Sequence, residues 1–139
     1  MKLKDIMTKN VATVSLESNV LEASRKMRDL NIGAVPVVDG ERPVGIITDR
    51  DIVLRCVAEE KDATKVKASE IMTKKLITVN PEINVKEAAK IMAEHQIRRL
   101  PVVENGKLVG IVSLGDLATK PNFSDEAGEA LTNISIPVK

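Results

Sequence analysis

Apolar and polar residues follow two rhythms along this chain, and the same succession of rhythms occurs twice. Val20, Ala23, Met27 and Leu30 are spaced by threes and fours, which holds them to one face of a helix. Val85, Ala88, Met92 and, less regularly, His95 repeat that stripe. Ser18 or Asn19, and Asn84 in the second stretch, supply N-caps. Runs rich in β-branched residues lie on either side and predict strands. They are Val11 to Val14, Ala34 to Val38 and Pro43 to Ile47, then Leu76 to Val79, Leu100 to Val103 and Leu108 to Val112. Asp39-Gly40 and Asn105-Gly106 are hairpin signals between the last two strands of each set. A closing helix follows, Asp49 to Val57 in one set and Leu114 to Ala118 in the other. Each set therefore predicts strand, helix, strand, strand, helix.

The two sets are copies. Ile6-Met7-Thr8-Lys9 returns 65 residues later as Ile71-Met72-Thr73-Lys74, and without a gap 20 of the 50 positions from Ile6 to Arg55 are identical to their counterparts. Matches include Asn19-Val20, Pro36-Val37-Val38, Val44-Gly45-Ile46 and Asp51 with their counterparts. Residues 1–58 form unit one and 66–120 unit two, joined by a polar linker at 59–65. A mildly acidic tail, 121–139, reads as a loosely docked extension. A unit of about 50 residues buries too little surface to stand alone. The expectation is an α/β (α+β) fold of two β-α-β-β-α units packed with pseudo-twofold symmetry. Two related clefts come with that symmetry.

Composition narrows the function. The chain has 139 residues, no Trp, no Tyr and one Phe, so its core is aliphatic. Only Phe123 is available for stacking, which excludes the aromatic platforms of single-strand nucleic-acid folds. A net charge of +1 gives no field toward nucleic acid or an anionic membrane. One cysteine, no signal peptide and no apolar run of membrane-spanning length point to a soluble, cytoplasmic protein. A single His and a single Cys make a zinc site of the usual kind implausible, so no metal is expected.

The candidate chemistry sits where each third strand meets its helix. Thr48 and Asp51, and Ser113 and Asp116, have the spacing of a capping box, which needs no ligand. The same geometry suits a ligand: a hydroxyl near a phosphate, a carboxylate accepting from a ribose diol, and Gly45 or Gly110 leaving room beside the strand. Arg98 and Arg99 precede the second strand of copy two, where copy one has Gly33 and Ala34. Paired arginines suit bidentate phosphate recognition, so the clefts are not chemically equal. Met7, Met27, Met72 and Met92 match between copies and read as core fillers. His95 reads as a packed helix-end residue, Cys56 as a buried structural thiol, and Arg50 and Arg55 as solvated or phosphate-reaching cations.

The tandem units resemble a pair of CBS domains, often called a Bateman module. The resemblance covers nearly all of residues 1–120 and rests on Asp5-Ile6-Met7-Thr8, the Pro-Val-Val strands and the duplicated glycine-to-aspartate motif. It implies a regulatory module, not an enzyme, that binds AMP, ADP, ATP or S-adenosylmethionine in clefts between its units. It needs no cofactor beyond that ligand. By the same resemblance Asp51 and Asp116 contact ribose, Thr48 and Ser113 contact ribose or phosphate, and Arg98 and Arg99 contact phosphate. Adenine would be held by Ala12, Ile32, Ile46, Ile77, Ile97 and Ile111, with Gly33 at the cation-poor counterpart of the arginine site. The resemblance also implies a homodimer and a protein target of unknown identity. The alternative is a ligand-free interaction or oligomerisation module.

Overall fold

The structure, a computed structural model, describes residues 1–118. The expected tail contacts lie outside these residues. The chain forms two compact bodies that do not follow the sequence repeats. One is Ala12–Leu76; the other joins Met1–Val11 to residues 77–118.

In the body 12–76, strand β1 (Val14–Ser15) runs parallel to β2 (Ala34–Asp39), which pairs antiparallel with β3 (Arg42–Thr48). Helix α1 (Val20–Leu30) starts at Asn19, whose side chain accepts from the Glu22 N–H at 2.8 Å. Ser18 is not the cap: its hydroxyl accepts from the Ser15 N–H instead. Val20, Ala23 and Met27 are buried as the stripe predicts, but Leu30 is exposed. The helix ends at Asn31, in the left-handed region at φ 54°, and the Ile32 N–H returns to the Met27 carbonyl at 3.0 Å. Helix α2 (Asp49–Ile52) does not continue as one helix to residue 57. It passes into a π-helical turn, Val53–Val57, closed by the Ala58 N–H to the Val53 carbonyl at 2.8 Å. A short helix α3 (Ala68–Ile71) completes this body.

The other body repeats the plan. Helix α4 (Val85–His95) is capped by Asn84 and ends at Gln96, φ 53°. Strands β4 (Arg99–Glu104) and β5 (Lys107–Ser113) form the hairpin, and α5 (Leu114–Ala118) follows. The expected strand 76–79 is reduced to one parallel bridge from Val79 to Val102. His95 is exposed rather than packed.

The hairpins differ at their tips. In β4–β5 both Asn105 (φ 54°) and Gly106 (φ 79°) take positive φ, the I′ pattern. In β2–β3, Asp39 pairs with Arg42, so the turn residues are Gly40-Glu41, one position later than expected. Only Gly40 (φ 65°) is positive there, the II′ pattern. Both hairpins carry a bulge just before Gly45 or Gly110.

Each core is aliphatic. One cluster gathers Val20, Val35, Val37, Ile47, Cys56 and Ile71; the other gathers Leu3, Val85, Met92, Leu100, Val112 and Leu117. The segment opening each repeat completes the body of the other. The Ala68 N–H bonds the Ser18 carbonyl at 2.8 Å, and the Leu3 N–H bonds the Ile83 carbonyl at 2.9 Å. Those are the same pairing with the repeats exchanged.

Candidate functional site

Strand alternation puts Ile46 and Thr48 on one face of β3, and Ile111 and Ser113 on one face of β5. Across the hairpins Ala34 is in register with Thr48, and Arg99 with Ser113. The chain then turns into a helix. The Asp49 N–H bonds the Gly33 carbonyl at 3.0 Å, and the Leu114 N–H bonds the Arg98 carbonyl at 2.8 Å. These main-chain contacts gather Arg98, Arg99, Ser113 and Asp116 at one hairpin end, and Gly33, Ala34, Thr48 and Asp51 at the other.

Both hydroxyl–carboxylate pairs form capping boxes. The Thr48 hydroxyl accepts from the Asp51 N–H, and the Asp51 carboxylate accepts from the Thr48 N–H, each at 3.0 Å. The Ser113 pair has 3.1 and 2.8 Å for the same bonds. Asp51 makes further contacts beyond its cap. Asp51 is only 7% exposed, and it is the buried charged residue among those described. The Thr73 hydroxyl donates to it at 3.3 Å, and the Arg55 guanidinium stands 3.9 Å away. Arg55 also donates to the Ile71 and Met72 carbonyls at 3.2 and 3.4 Å. Its side chain is nonetheless 55% exposed, so these contacts engage one nitrogen of a guanidinium that still faces solvent. Asp116 is half-buried. Arg98 and Arg99 are exposed, and among the described residues neither has an ion-pair partner.

The glycines do not hold space open for a ligand. A Cβ on Gly45 would lie 2.5 Å from the Met72 sulfur and 2.9 Å from the Thr73 carbonyl oxygen. On Gly110 it would lie 2.5 Å from the Met7 sulfur and 3.1 Å from the Thr8 carbonyl oxygen. The notch beside each strand is filled by the opening segment of the other repeat. Thr73 exchanges two main-chain hydrogen bonds with Ile46 (3.0 and 2.8 Å), and Thr8 exchanges two with Ile111 (2.9 and 3.0 Å). Met7 and Met72 are thus more specific than general core fillers. Thr73 and Arg55 are the residues whose roles sequence reasoning missed. The signal was the Met-Thr pair repeated together with the glycine.

The aliphatic candidates are half-buried at Ala12, Ile46, Ile77, Ile97 and Ile111, while Ile32 is exposed. Ile77 and Ile97 pack on the core of their own body, so they have a structural part to play as well. Cys56 is buried, its thiol 3.5 Å from the Lys61 carbonyl. Among the described residues no group of three or more His, Cys, Asp or Glu side chains could hold a metal, and no helix is long and apolar enough to cross a membrane.

This hairpin–helix unit, present twice with the same motif, matches the CBS domain at residues 3–57 and again at 68–121. The chain belongs to the CBS domain family. It is a CBS pair, a regulatory module with mixed helices and strands. The CBS domain-containing protein YhcV of Bacillus subtilis is 47% identical over 133 residues, covering 96% of this chain and 94% of YhcV. The CBS pair of protein MJ0100, solved in complex with 5′-methylthioadenosine and S-adenosyl-L-methionine, superposes with a TM-score of 0.76 at 32% identity. That match covers 85% of this chain and 93% of the other. The hexameric CBS-CP12 protein from bloom-forming cyanobacteria gives a TM-score of 0.77 at 33% identity, over 90% of this chain and 74% of its own.

Proposed function

We propose that this CBS pair is a sensor of adenosyl compounds such as AMP, ADP, ATP or S-adenosylmethionine, and passes its state to a protein target in the cytoplasm. The observation carrying this reading is the register of Arg99 with Ser113, which sets two exposed arginines, without ion-pair partners among the described residues, beside a hydroxyl and a carboxylate. Arginines of this kind suit phosphate or carboxylate groups, and Asp116 suits a ribose diol. Ile97 and Ile111 offer an aliphatic surface to a base, which the scarcity of aromatic residues requires. The adenosyl ligands of the MJ0100 pair support the same class. Binding and signalling of this kind need no catalytic group and no further cofactor.

Thermal unfolding with and without each ligand tests the reading. Ligand at 100 times Kd adds about 2.7 kcal/mol of stability. Unchanged unfolding with AMP, ADP, ATP and S-adenosylmethionine, all at millimolar concentration, would count decisively against it. Because the chain has no Trp or Tyr, nucleotide carried through purification shows directly as absorbance near 260 nm.

A second reading, self-association, is favoured by a separate observation. Val53, Leu54 and Val57 are 54%, 48% and 64% exposed on one short helical stretch. Together with Asp49 and Arg50, Val53 and Leu54 line an open concavity there. Covering this face with a second copy gives a homodimer. Light scattering of Leu54→Glu should then report a smaller mass than the parent chain at equal concentration.

A further inference from the structure

An oxidant that reaches a thioether turns an apolar group into a polar one, and the chain has five methionines. Met27, Met72 and Met92 are buried, none more than 8% exposed. Met1 is 57% exposed and belongs to neither core cluster. Met7 alone of the five is both reachable and committed to the fold. It is half-buried, packs on the core of its own body and sets its sulfur against Gly110. A Cβ on that glycine would lie 2.5 Å from the sulfur and 2.9 Å from the Met7 Cγ, so the thioether rests directly on the strand. Main-chain bonds hold the segment on either side of Met7. The Leu3 N–H bonds the Ile83 carbonyl at 2.9 Å, the Lys4 N–H bonds the Pro81 carbonyl at 3.0 Å, and Thr8 exchanges two bonds with Ile111. Cys56, the remaining sulfur, is buried in the other body.

We propose that the Met7 sulfur is an oxidation site through which a hydroperoxide unseats the segment Met1–Val11 from its own body. A sulfur lone pair takes one peroxide oxygen: the O–O bond breaks, an S–O bond forms, and hydrogen peroxide leaves as water. The sulfur is oxidised by two electrons and the peroxide reduced by two. The sulfoxide oxygen needs a hydrogen-bond donor, and the main-chain donors beside it are already committed. The Met7 N–H bonds the Leu3 carbonyl, and the Thr8 and Ile111 N–H groups bond each other's carbonyls. A polar sulfoxide is therefore better placed in water than in the notch, and the segment loosens. A methionine sulfoxide reductase reverses the step, two thiols giving a disulfide as the oxygen leaves in water. Met72 fills the matching Gly45 notch but is shielded at 8% exposure, so one oxidant acts on one opening segment and spares the other. This assignment does not depend on the adenosyl reading.

Treating the full chain with hydrogen peroxide tests the assignment, read by peptide mapping in a mass spectrometer and by residue-resolved amide hydrogen exchange. Met1 and Met7 should oxidise before Met27, Met72 and Met92. Exchange at the Leu3, Lys4, Thr8 and Ile111 amides should quicken about tenfold or more as Met7 sulfoxide accumulates, while the Ile46 and Thr73 amides keep their rates. Met7→Leu nearly conserves volume, so it should fold and show no quickening after the same treatment. If that variant fails to fold, the oxidised parent chain decides: a methionine sulfoxide reductase should restore the slow exchange as Met7 sulfoxide disappears. Met7 oxidising no faster than Met72 would overturn the proposal. So would unchanged exchange at those four amides with Met7 fully oxidised, or exchange that stays fast after Met7 is reduced. Equal quickening in Met7→Leu would overturn it as well, by placing the effect at Met1.

Discussion

Gly45 measures how tightly the exchanged segment is seated. In Gly45→Ala the new methyl group meets the Met72 sulfur at 2.5 Å and the Thr73 carbonyl oxygen at 2.9 Å. The sulfur is the end of a flexible side chain, but Met72 is only 8% exposed and has little room to retreat. The carbonyl oxygen is backbone, and it accepts the Ile46 N–H at 3.0 Å. Overpacking of this sort costs about 1–3 kcal/mol. Replacing glycine stiffens the unfolded chain and returns about 0.4–1 kcal/mol. The expected net loss is therefore about 1–2 kcal/mol. Met72→Ala alone leaves a cavity and should cost about 2–5 kcal/mol. Combined with Gly45→Ala, however, the missing side chain makes room for the methyl group. The double variant should therefore be about 1 kcal/mol more stable than the sum of the two losses predicts. Urea unfolding followed by circular dichroism is the assay, since tryptophan fluorescence is absent. Gly110→Ala is an internal comparison: its backbone neighbour is farther, at 3.1 Å, and Met7 is only half-buried, so its loss should be smaller. A neutral Gly45→Ala, or strict additivity with Met72→Ala, would refute the notch.

Three further outcomes are expected. Gln96 ends α4 in the left-handed region at φ 53°, so Gln96→Gly should raise stability by roughly 0.5–1 kcal/mol, and Asn31→Gly by less, because asparagine tolerates that region. Hydrogen bonds from Lys2 and Lys4 hold the Glu82 carboxyl below its ordinary range. A depressed carboxyl contributes stability above its unfolded-state value and loses it as pH falls through the folded-state value. Glu82→Gln should accordingly flatten the acid limb of the stability profile and leave neutral pH little changed, as acid titration of unfolding will show. Ile47 is fully buried in the core of the body 12–76, so Ile47→Ala should cost about 2–5 kcal/mol by urea unfolding.

The elements were legible where local chemistry decides them. Spacing by threes and fours, Asn19 and Asn84 as caps, and the hairpin between β4 and β5 follow from short-range rules that the structure obeys. The misses arise where a distant residue decides. Leu30 continues the stripe by periodicity, yet at the last position of α1 it has no body left to pack against and is exposed. Residues 49–57 read as one helix. The π turn lets Cys56 lie inside while Arg55 stays within reach of residues 71 and 72, a demand set 16 residues away. The candidate site was legible as a motif but not as an occupancy. Nothing in Thr48–Asp51 by itself reveals that Thr73 and Arg55 already occupy that carboxylate.

The same limit applies to the division of the chain. Sequence similarity places the boundary between copies in the polar stretch 59–65, and the two CBS matches fall on either side of it. The compact bodies cut the chain elsewhere, near residues 11 and 76. Both divisions follow from one duplication. Because both copies carry Ile-Met-Thr and both carry the glycine notch, the opening segment of either copy fits either sheet. Its register is identical whether it docks within its own repeat or on the other, so pattern alone cannot tell the two apart. Only the paired contacts, Thr73 with Ile46 and Thr8 with Ile111, decide for exchange. A cut through the linker would therefore leave the first repeat without Ala68, Ile71 and Met72, three members of its own core cluster. It would also free Asp51 from Thr73. The isolated first repeat would then be less stable, with its carboxylate opened to solvent: the sequence repeat is a unit of ancestry, and the exchanged body is the unit of folding.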